Sequence, residues 1–267
     1  MNGLTHIANA FQAAHRAGRA ALMPYLTLGY PDRALSPGLT AAAAASGADL
    51  LELGIPFSDP LADGPTIQHS TQVALRQGMT VARCFDQVRQ LRATGVAQPL
   101  LLMGYFNPVL AYGASRFVDD AAQAGVDGLI IPDLPPEEAV SLEVNCKHKG
   151  LALVYLAPPN AAPQRLALLA ERTSGFLYLV SVQGVTGVRA SLPPSLDDFV
   201  KRARLCAHTP LAVGFGIASP AQAAAVGRIA DGVIVGSAMI RAIDSAPQAP
   251  IQALSAYVAS LAEALKP

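Results

Sequence analysis

Eight short apolar runs, helical patterns between them, and one turn-into-strand phrase used three times predict an α/β fold, a single (β/α)8 TIM barrel. The runs are ALMPYLTL from Ala21, LLELGI from Leu50, PLLLMGY from Pro99 and GLIIPD from Gly128, followed by LALVYLA from Leu151, FLYLVSV from Phe176, LAVGFG from Leu211 and GVIVGS from Gly232. Each is nearly continuous in hydrophobicity, as strands buried on both faces are, and strands alternating with helices pair in parallel. The repeated phrase occurs in AASGADLLELG (Ala44 to Gly54), AQAGVDGLIIP (Ala122 to Pro132) and GRIADGVIVG (Gly227 to Gly236), running each time from a helix end through an Asp into a strand.

In chain order, an extra helix precedes the first strand. The spacing from Leu50 to Pro99 and from Phe176 to Leu211 is longer than elsewhere, which predicts long βα loops after the second and sixth strands. In this architecture the chemistry sits at the C-terminal ends of the strands, so those two loops are candidate lids. No linker or low-complexity segment divides residues 1–267, and one domain is expected.

With 52% hydrophobic residues, 14% charged residues and no net charge, the chain carries neither a disorder signature nor an electrostatic footprint for nucleic acid or anionic membrane. A small molecule or another protein is the expected partner. Cys84, Cys146 and Cys206 share no close spacing and suggest neither a disulfide framework nor a zinc site, which fits a cytoplasmic location. Pro24, Gly29 and Pro31 interrupt the early apolar stretch, against a signal peptide, and no apolar run approaches the ~20 residues of a membrane helix.

The candidate chemistry centres on LELGIPFSDPLADGP, Leu51 to Pro65. Glu52 interrupts a strand that is otherwise apolar. Pointing into a barrel it would be poorly solvated, with a raised pKa suited to proton exchange near neutrality. Its bland alternative is a buried acid paired with arginine, yet no arginine falls on a strand's C-terminal end. Asp59 and Asp63 are each ordinary loop punctuation by themselves, but a lid could carry Asp63 over the barrel mouth towards Glu52.

Glycine-rich stretches follow the last three strands: GVTG (Gly184 to Gly187), GFGI (Gly214 to Ile217) and Gly236-Ser237, which opens a helical run. Bare backbone and a helix N-terminus together accommodate an anion, and the last loops of such barrels commonly grip phosphate. Tyr25, Met103, Tyr105, Leu156, Tyr178 and Phe215 lie at or near strand ends, singly core residues and jointly a wall for a flat ring. Lys147, Lys149, Lys201 and Lys266 fall in helical or terminal segments, leaving no Schiff-base nucleophile. His6, His15, His69, His148 and His208 lie off the strand ends, against a metal-dependent aldolase or epimerase. A carbon–carbon cleavage here would need a substrate that is its own electron sink.

LELGIPFSDPLADGPTIQ, with PYLTLGYP before it and YFNPV, IIPDLP, APPN, SVQGVTG, GFGI and VGSA after it, closely resembles the tryptophan synthase α subunit family, in order from about Pro24 to Ser237. The resemblance implies a lyase that cleaves indole-3-glycerol phosphate to indole and glyceraldehyde 3-phosphate in tryptophan biosynthesis, with no cofactor of its own. By motif it implies Glu52 and Asp63 as catalytic carboxylates. It places Gly187, Gly214, Gly216, Gly236 and Ser237 at the phosphate, Tyr25, Ile67, Met103, Tyr105, Ile130, Leu156, Tyr178 and Phe215 around the indole ring, and Thr186 as a further substrate-binding residue that takes part with Asp63 in loop closure. Tyr25 and Met103 stand where other members carry Phe or Leu. The resemblance further implies an αββα heterotetramer with a pyridoxal-phosphate-bearing β subunit, met through the loops at Pro56 to Pro60 and Asn107 to Pro108. Rival readings are a stand-alone indole-releasing lyase, a non-catalytic regulatory binding subunit and a phosphate-sugar isomerase.

Overall fold

The computed structural model describes residues 2–181, 195–214 and 216–267. Its strands are β1 (Ala21–Thr27), β2 (Leu51–Gly54), β3 (Leu100–Met103), β4 (Gly128–Ile130), β5 (Ala152–Val154), β6 (Leu156–Ala157), β7 (Leu177–Val180), β8 (Leu211–Gly214) and β9 (Gly232–Val235). All pairings are parallel, in the order β5-β4-β3-β2-β1-β9-β8-β7-β6. Only Tyr155 separates the two ends of that order, so the chain itself closes the ring. Almost every strand residue is buried, as sheets covered on both faces require.

Helices α1 (Gly3–Arg16), α2 (Leu35–Ala45), α3 (Pro65–Arg76), α4 (Val81–Ala93), α5 (Phe106–Tyr112) and α6 (Ala114–Ala124) accompany the first half of the ring. Helices α7 (Val140–Lys149), α8 (Pro163–Arg172), α9 (Leu196–Arg204), α10 (Pro220–Gly227), α11 (Ser237–Asp244) and α12 (Pro250–Ala264) accompany the second. No described helix is long and apolar enough to cross a membrane.

One expectation needs correction. The run LALVYLA forms two strands, because the Tyr155 amide donates to the Thr173 hydroxyl (3.1 Å) instead of joining the ladder. Its chain leaves β4 as partner on one side of this break and takes β7 on the other. The long βα loop expected after β2 is residues 55–64, and α3 and α4 account for the rest of the extra chain before β3. For the long loop expected after the sixth run, residues 182–194 lie outside the described residues.

The predicted N-terminal helix is α1, and it seals the barrel's lower end. Phe11 meets Phe176 at 5.6 Å between ring centroids, and a Cβ on Gly3 would lie 2.1 Å from the Asp127 carbonyl oxygen.

The repeated phrase has a structural meaning at this end. Asp49, just before β2, accepts from the Leu22 amide of β1 (2.8 Å) and from Arg19. Asp127, before β4, accepts from the Leu100 amide of β3 (2.8 Å) and from Arg92 (2.5 Å). Asp231, before β9, accepts from the Leu211 amide of β8 (2.7 Å) and from Arg204. Ser174, before β7, does the same for the Leu153 amide of β5 (2.8 Å), a fourth occurrence without the charge. Each latch satisfies an amide that starts a strand and would otherwise be buried unpaired.

Candidate active site

At the opposite end, one cavity gathers Glu52, Asp63, Tyr25, Ile67, Met103 and Tyr178 with Gly216, Gly236 and Ser237. Strand alternation supplies the first part of it. Tyr25 and Glu52 are register partners on β1 and β2, so both side chains project into the barrel. Glu52 is 1% exposed, and its Oε2 has no hydrogen-bond partner among the described residues. Burial, and secondarily the nearby Asp63, push its pKa up to about 8. A carboxyl so placed stays protonated at neutral pH, since ionisation would leave a charge without solvation or a counter-ion.

Asp63 arrives from the loop 55–64. Its amide donates to the Pro60 carbonyl (3.1 Å), and its own carbonyl accepts from Gln68 Nε2 (2.8 Å) in the first turn of α3. Pro65 at the start of α3 fixes the exit angle of the loop. Burial pushes the Asp63 pKa up to about 6, opposed by a hydrogen bond from the Tyr105 hydroxyl. The same hydroxyl accepts from the Ala62 amide (3.0 Å), and the Phe57 and Tyr105 rings lie 5.5 Å apart. Tyr105 therefore stands beneath the loop and orients its carboxylate.

The walls are built by pairing a tyrosine with a bare backbone. A Cβ on Gly54 would lie 2.0 Å from the Tyr25 hydroxyl, and one on Gly214 would lie 2.2 Å from the Tyr178 hydroxyl. Behind the cavity, Tyr25 Oη lies 3.3 Å from Thr27 Oγ1, which lies 2.7 Å from Ser70 Oγ, which donates to the Ile67 carbonyl (2.8 Å). Because the Ser70 proton goes to that carbonyl, Thr27 donates to Ser70 and Tyr25 donates to Thr27. The Tyr25 oxygen keeps only acceptor capacity towards the cavity.

The far end of the cavity is glycine and helix terminus. Gly216 has φ +78°, a conformation reserved in practice for glycine. At Gly236 a Cβ would meet nothing closer than 3.7 Å, so packing against the protein does not explain the missing side chain. Gly236 precedes the first turn of α11, whose unpaired amides and dipole favour an anion.

Of the residues expected at the site, Tyr105, Ile130, Leu156 and Gly214 do not line this cavity. Tyr105 acts through Asp63, and Ile130 is wholly buried in β4. Gly214 is bare to seat the Tyr178 ring. Thr186, Gly187 and Phe215 lie outside the described residues. Sequence reasoning missed Gly64, Thr66, Ile217 and Ile234 as lining residues. Alternation back from Gly236 along GVIVG would have pointed to Ile234. Among the described residues, no group of three or more His, Cys, Asp or Glu gathers that could hold a metal ion.

The family model described as tryptophan synthase alpha chain matches residues 11–266. The tryptophan synthase alpha chain of Chloroflexus aurantiacus is 49% identical over 263 residues, covering 98% of this chain and 99% of that one. That of Acidiphilium cryptum is 44% identical over 270 residues, covering 98% of each. Among solved structures, tryptophan synthase from Mycobacterium tuberculosis superposes with a TM-score of 0.91 at 38% identity, covering 98% of both chains. The tryptophan synthase subunit alpha of Legionella pneumophila gives 0.90 at 38% identity, covering 99% of this chain and 98% of that one. Fold, sequence and the length of the match agree, and the chain belongs to the tryptophan synthase alpha chain family.

Proposed function

We propose that Glu52 and Asp63 perform the lyase reaction of this family, cleavage of indole-3-glycerol phosphate into indole and glyceraldehyde 3-phosphate in tryptophan biosynthesis. The observation that carries the assignment is the divided pair. Glu52, at about 8, holds its proton at neutrality, while Asp63, at about 6, has mostly lost its own. Two acids whose surroundings set their pKa values apart provide a donor and a negative charge in one cavity.

In this reading Glu52 delivers its proton to indole C3, and the ring becomes an iminium-like electron sink. Asp63 accepts the ring N–H and balances the positive charge growing on it. The C–C bond electrons then flow into the ring as the glycerol hydroxyl returns a proton to the Glu52 carboxylate. At an effective dielectric of ~20 a carboxylate about 4 Å from that charge is worth roughly 4 kcal/mol, or about three decades in rate. Tyr25, Ile67, Met103 and Tyr178 form the ring's walls. Gly216, Gly236 and Ser237 with the start of α11 take the phosphate, and the family resemblance adds Thr186 and Gly187 to the substrate-binding residues. Because the protonated indole accepts the electrons, the chain needs no cofactor of its own.

The whole chain is read as one domain of a cytoplasmic αββα complex, in which a β subunit carrying pyridoxal phosphate receives the indole. Supporting this contact face, Leu61 (88% exposed) and Leu110 (54%) present apolar side chains beside the loop at Pro56 to Pro60 and beside Asn107 and Pro108, which lie in the first turn of α5 and not in a loop.

Substitution tests the pair. Glu52→Gln is expected to lower indole release by at least a thousandfold while binding of glycerol 3-phosphate survives; a tenth of the wild-type rate would remove Glu52 from the mechanism. Asp63→Asn should also cost orders of magnitude in turnover. A normal rate would reduce the loop aspartate to a shaping role.

A further inference from the structure

The loop after β8 brings Gly216 and Ile217 to the cavity, and the next residue, Ala218, is held at both ends of its backbone by side chains. The Ala218 amide donates to Gln222 Oε1 (2.8 Å), and the Ala218 carbonyl accepts from the Tyr257 hydroxyl (3.1 Å). Gln222 is buried in the first turn of α10, a helix whose start is itself fixed by the Ser219 hydroxyl capping the Gln222 amide (3.2 Å). Tyr257 belongs to α12, the C-terminal helix, which packs across α2, α10 and α11 and contributes nothing to the cavity lining.

Gly216, at positive φ, is freer than any other residue type to change conformation. An anion bound by backbone amides is held only as well as those amides are aimed, and a displacement of ~1 Å at such a site weakens binding substantially. Both polar groups of one peptide neighbour are tied to two separate helices, so the aim of the Gly216 and Ile217 backbone is set from outside the cavity.

We propose that Tyr257 and Gln222 are positioning residues for the phosphate end of the substrate. Through the Ala218 peptide they hold the loop after β8 in the geometry that receives the phosphoryl group. The inference rests on the reading that places the phosphate at Gly216, Gly236 and Ser237, and it extends that site to a helix that never touches the ligand. The expected signature is selective: weaker grip on the phosphate, with the chemistry at Glu52 and Asp63 untouched.

The test is Tyr257→Phe in the full chain, which removes one oxygen and keeps the ring. KM for indole-3-glycerol phosphate is expected to rise about five- to tenfold with kcat within about twofold, the pattern of lost uniform binding. The Kd of glycerol 3-phosphate, by calorimetry, should rise in parallel, while kcat/KM for indole glycerol lacking the phosphate stays at the wild-type value. Gln222→Leu should give the same split. Tyr155→Phe serves as control, since it removes a buried hydroxyl bonded to Glu143 (2.6 Å) elsewhere on the barrel and should leave both constants unchanged. Unchanged glycerol 3-phosphate affinity in Tyr257→Phe would overturn the proposal, as would an equal loss with the phosphate-free substrate. Gly236→Ala separates the two levels: if it weakens glycerol 3-phosphate and Tyr257→Phe does not, the positioning role fails alone. If Gly236→Ala has no effect either, the placement of the phosphate fails and takes the positioning role with it.

Discussion

Glu52 is the residue on which chemistry and stability pull in opposite directions. Its carboxyl is raised from an ordinary value of 4.5 to about 8, chiefly by burial. Between those values an unfolded chain has lost the proton and the folded chain has kept it, so the stability this carboxyl contributes is fully present below pH 4.5 and is lost as pH rises towards 8. The expected decline is roughly 4 kcal/mol between pH 5 and pH 8, at about 1.4 kcal/mol per unit. Urea unfolding at those two pH values should show this slope in the wild type and lose most of it in Glu52→Gln, the remainder belonging to Asp63, whose pKa burial also raises. Activity should follow a bell, requiring Asp63 ionised and Glu52 protonated, with limbs near 6 and 8 that belong to the pair jointly. In Asp63→Asn the Glu52 titration, followed by infrared absorption of the carboxyl, should move down, because a neighbouring like charge is gone. It should stay above 4.5, because burial remains. Glu52 was legible in the sequence because an acid inside an apolar strand is an anomaly that demands a reason. Ile234 was harder to read, since only its alternation with Gly236, and nothing in its own chemistry, separates a cavity-lining isoleucine from one in the core. Gly214 pointed to a ligand because a glycine is bare for either of two reasons, to admit a ligand or to admit a neighbouring side chain, and only coordinates tell which.

Among the elements, the strand pairs are fastened at their lower ends by the aspartates of the repeated phrase. The Asp127 latch is the most elaborate, since the side chain accepts from the Leu100 amide, from Arg92 and from His6 Nδ1 (2.8 Å). Arg92 in turn donates to the carbonyls of Val96, Gln98 and Gly125, tying the end of α4 to the starts of β3 and β4. Asp127→Ala strands a guanidinium and an amide together and is expected to cost about 3–5 kcal/mol by chemical denaturation. Ser174→Ala, which leaves only one amide unpaired, should cost about 1–3 kcal/mol. Eight apolar runs were readable because burial on both faces leaves a continuous hydrophobic signature. The division of one run at Tyr155 was not readable, because it depends on Thr173, a residue that meets that amide only after folding. The spacing after β2 announced extra chain, and the helical character of α3 and α4 shows that most of it is packed structure rather than lid.

At the scale of the whole molecule, the two ends of the barrel have separate duties. Latches and α1 occupy the lower end, and the loops at the upper end carry the cavity and an apolar rim. Leu61→Asp adds a charge to that rim at a side chain that is 88% exposed and is not among those lining the active-site cavity. Indole production by the isolated chain is expected to remain within about twofold of wild type, while association with the β subunit, measured by analytical ultracentrifugation, weakens at least tenfold. Equal association would move the contact face elsewhere. The tyrosine-and-glycine pairs of the cavity wall reach further, into how such a chain changes over generations. Bulk gained at position 54 must be surrendered at 25, and bulk gained at 214 must be surrendered at 178. Lineages would therefore cross from one pocket shape to another by coupled exchanges, each first step a handicap until its counterpart arrives.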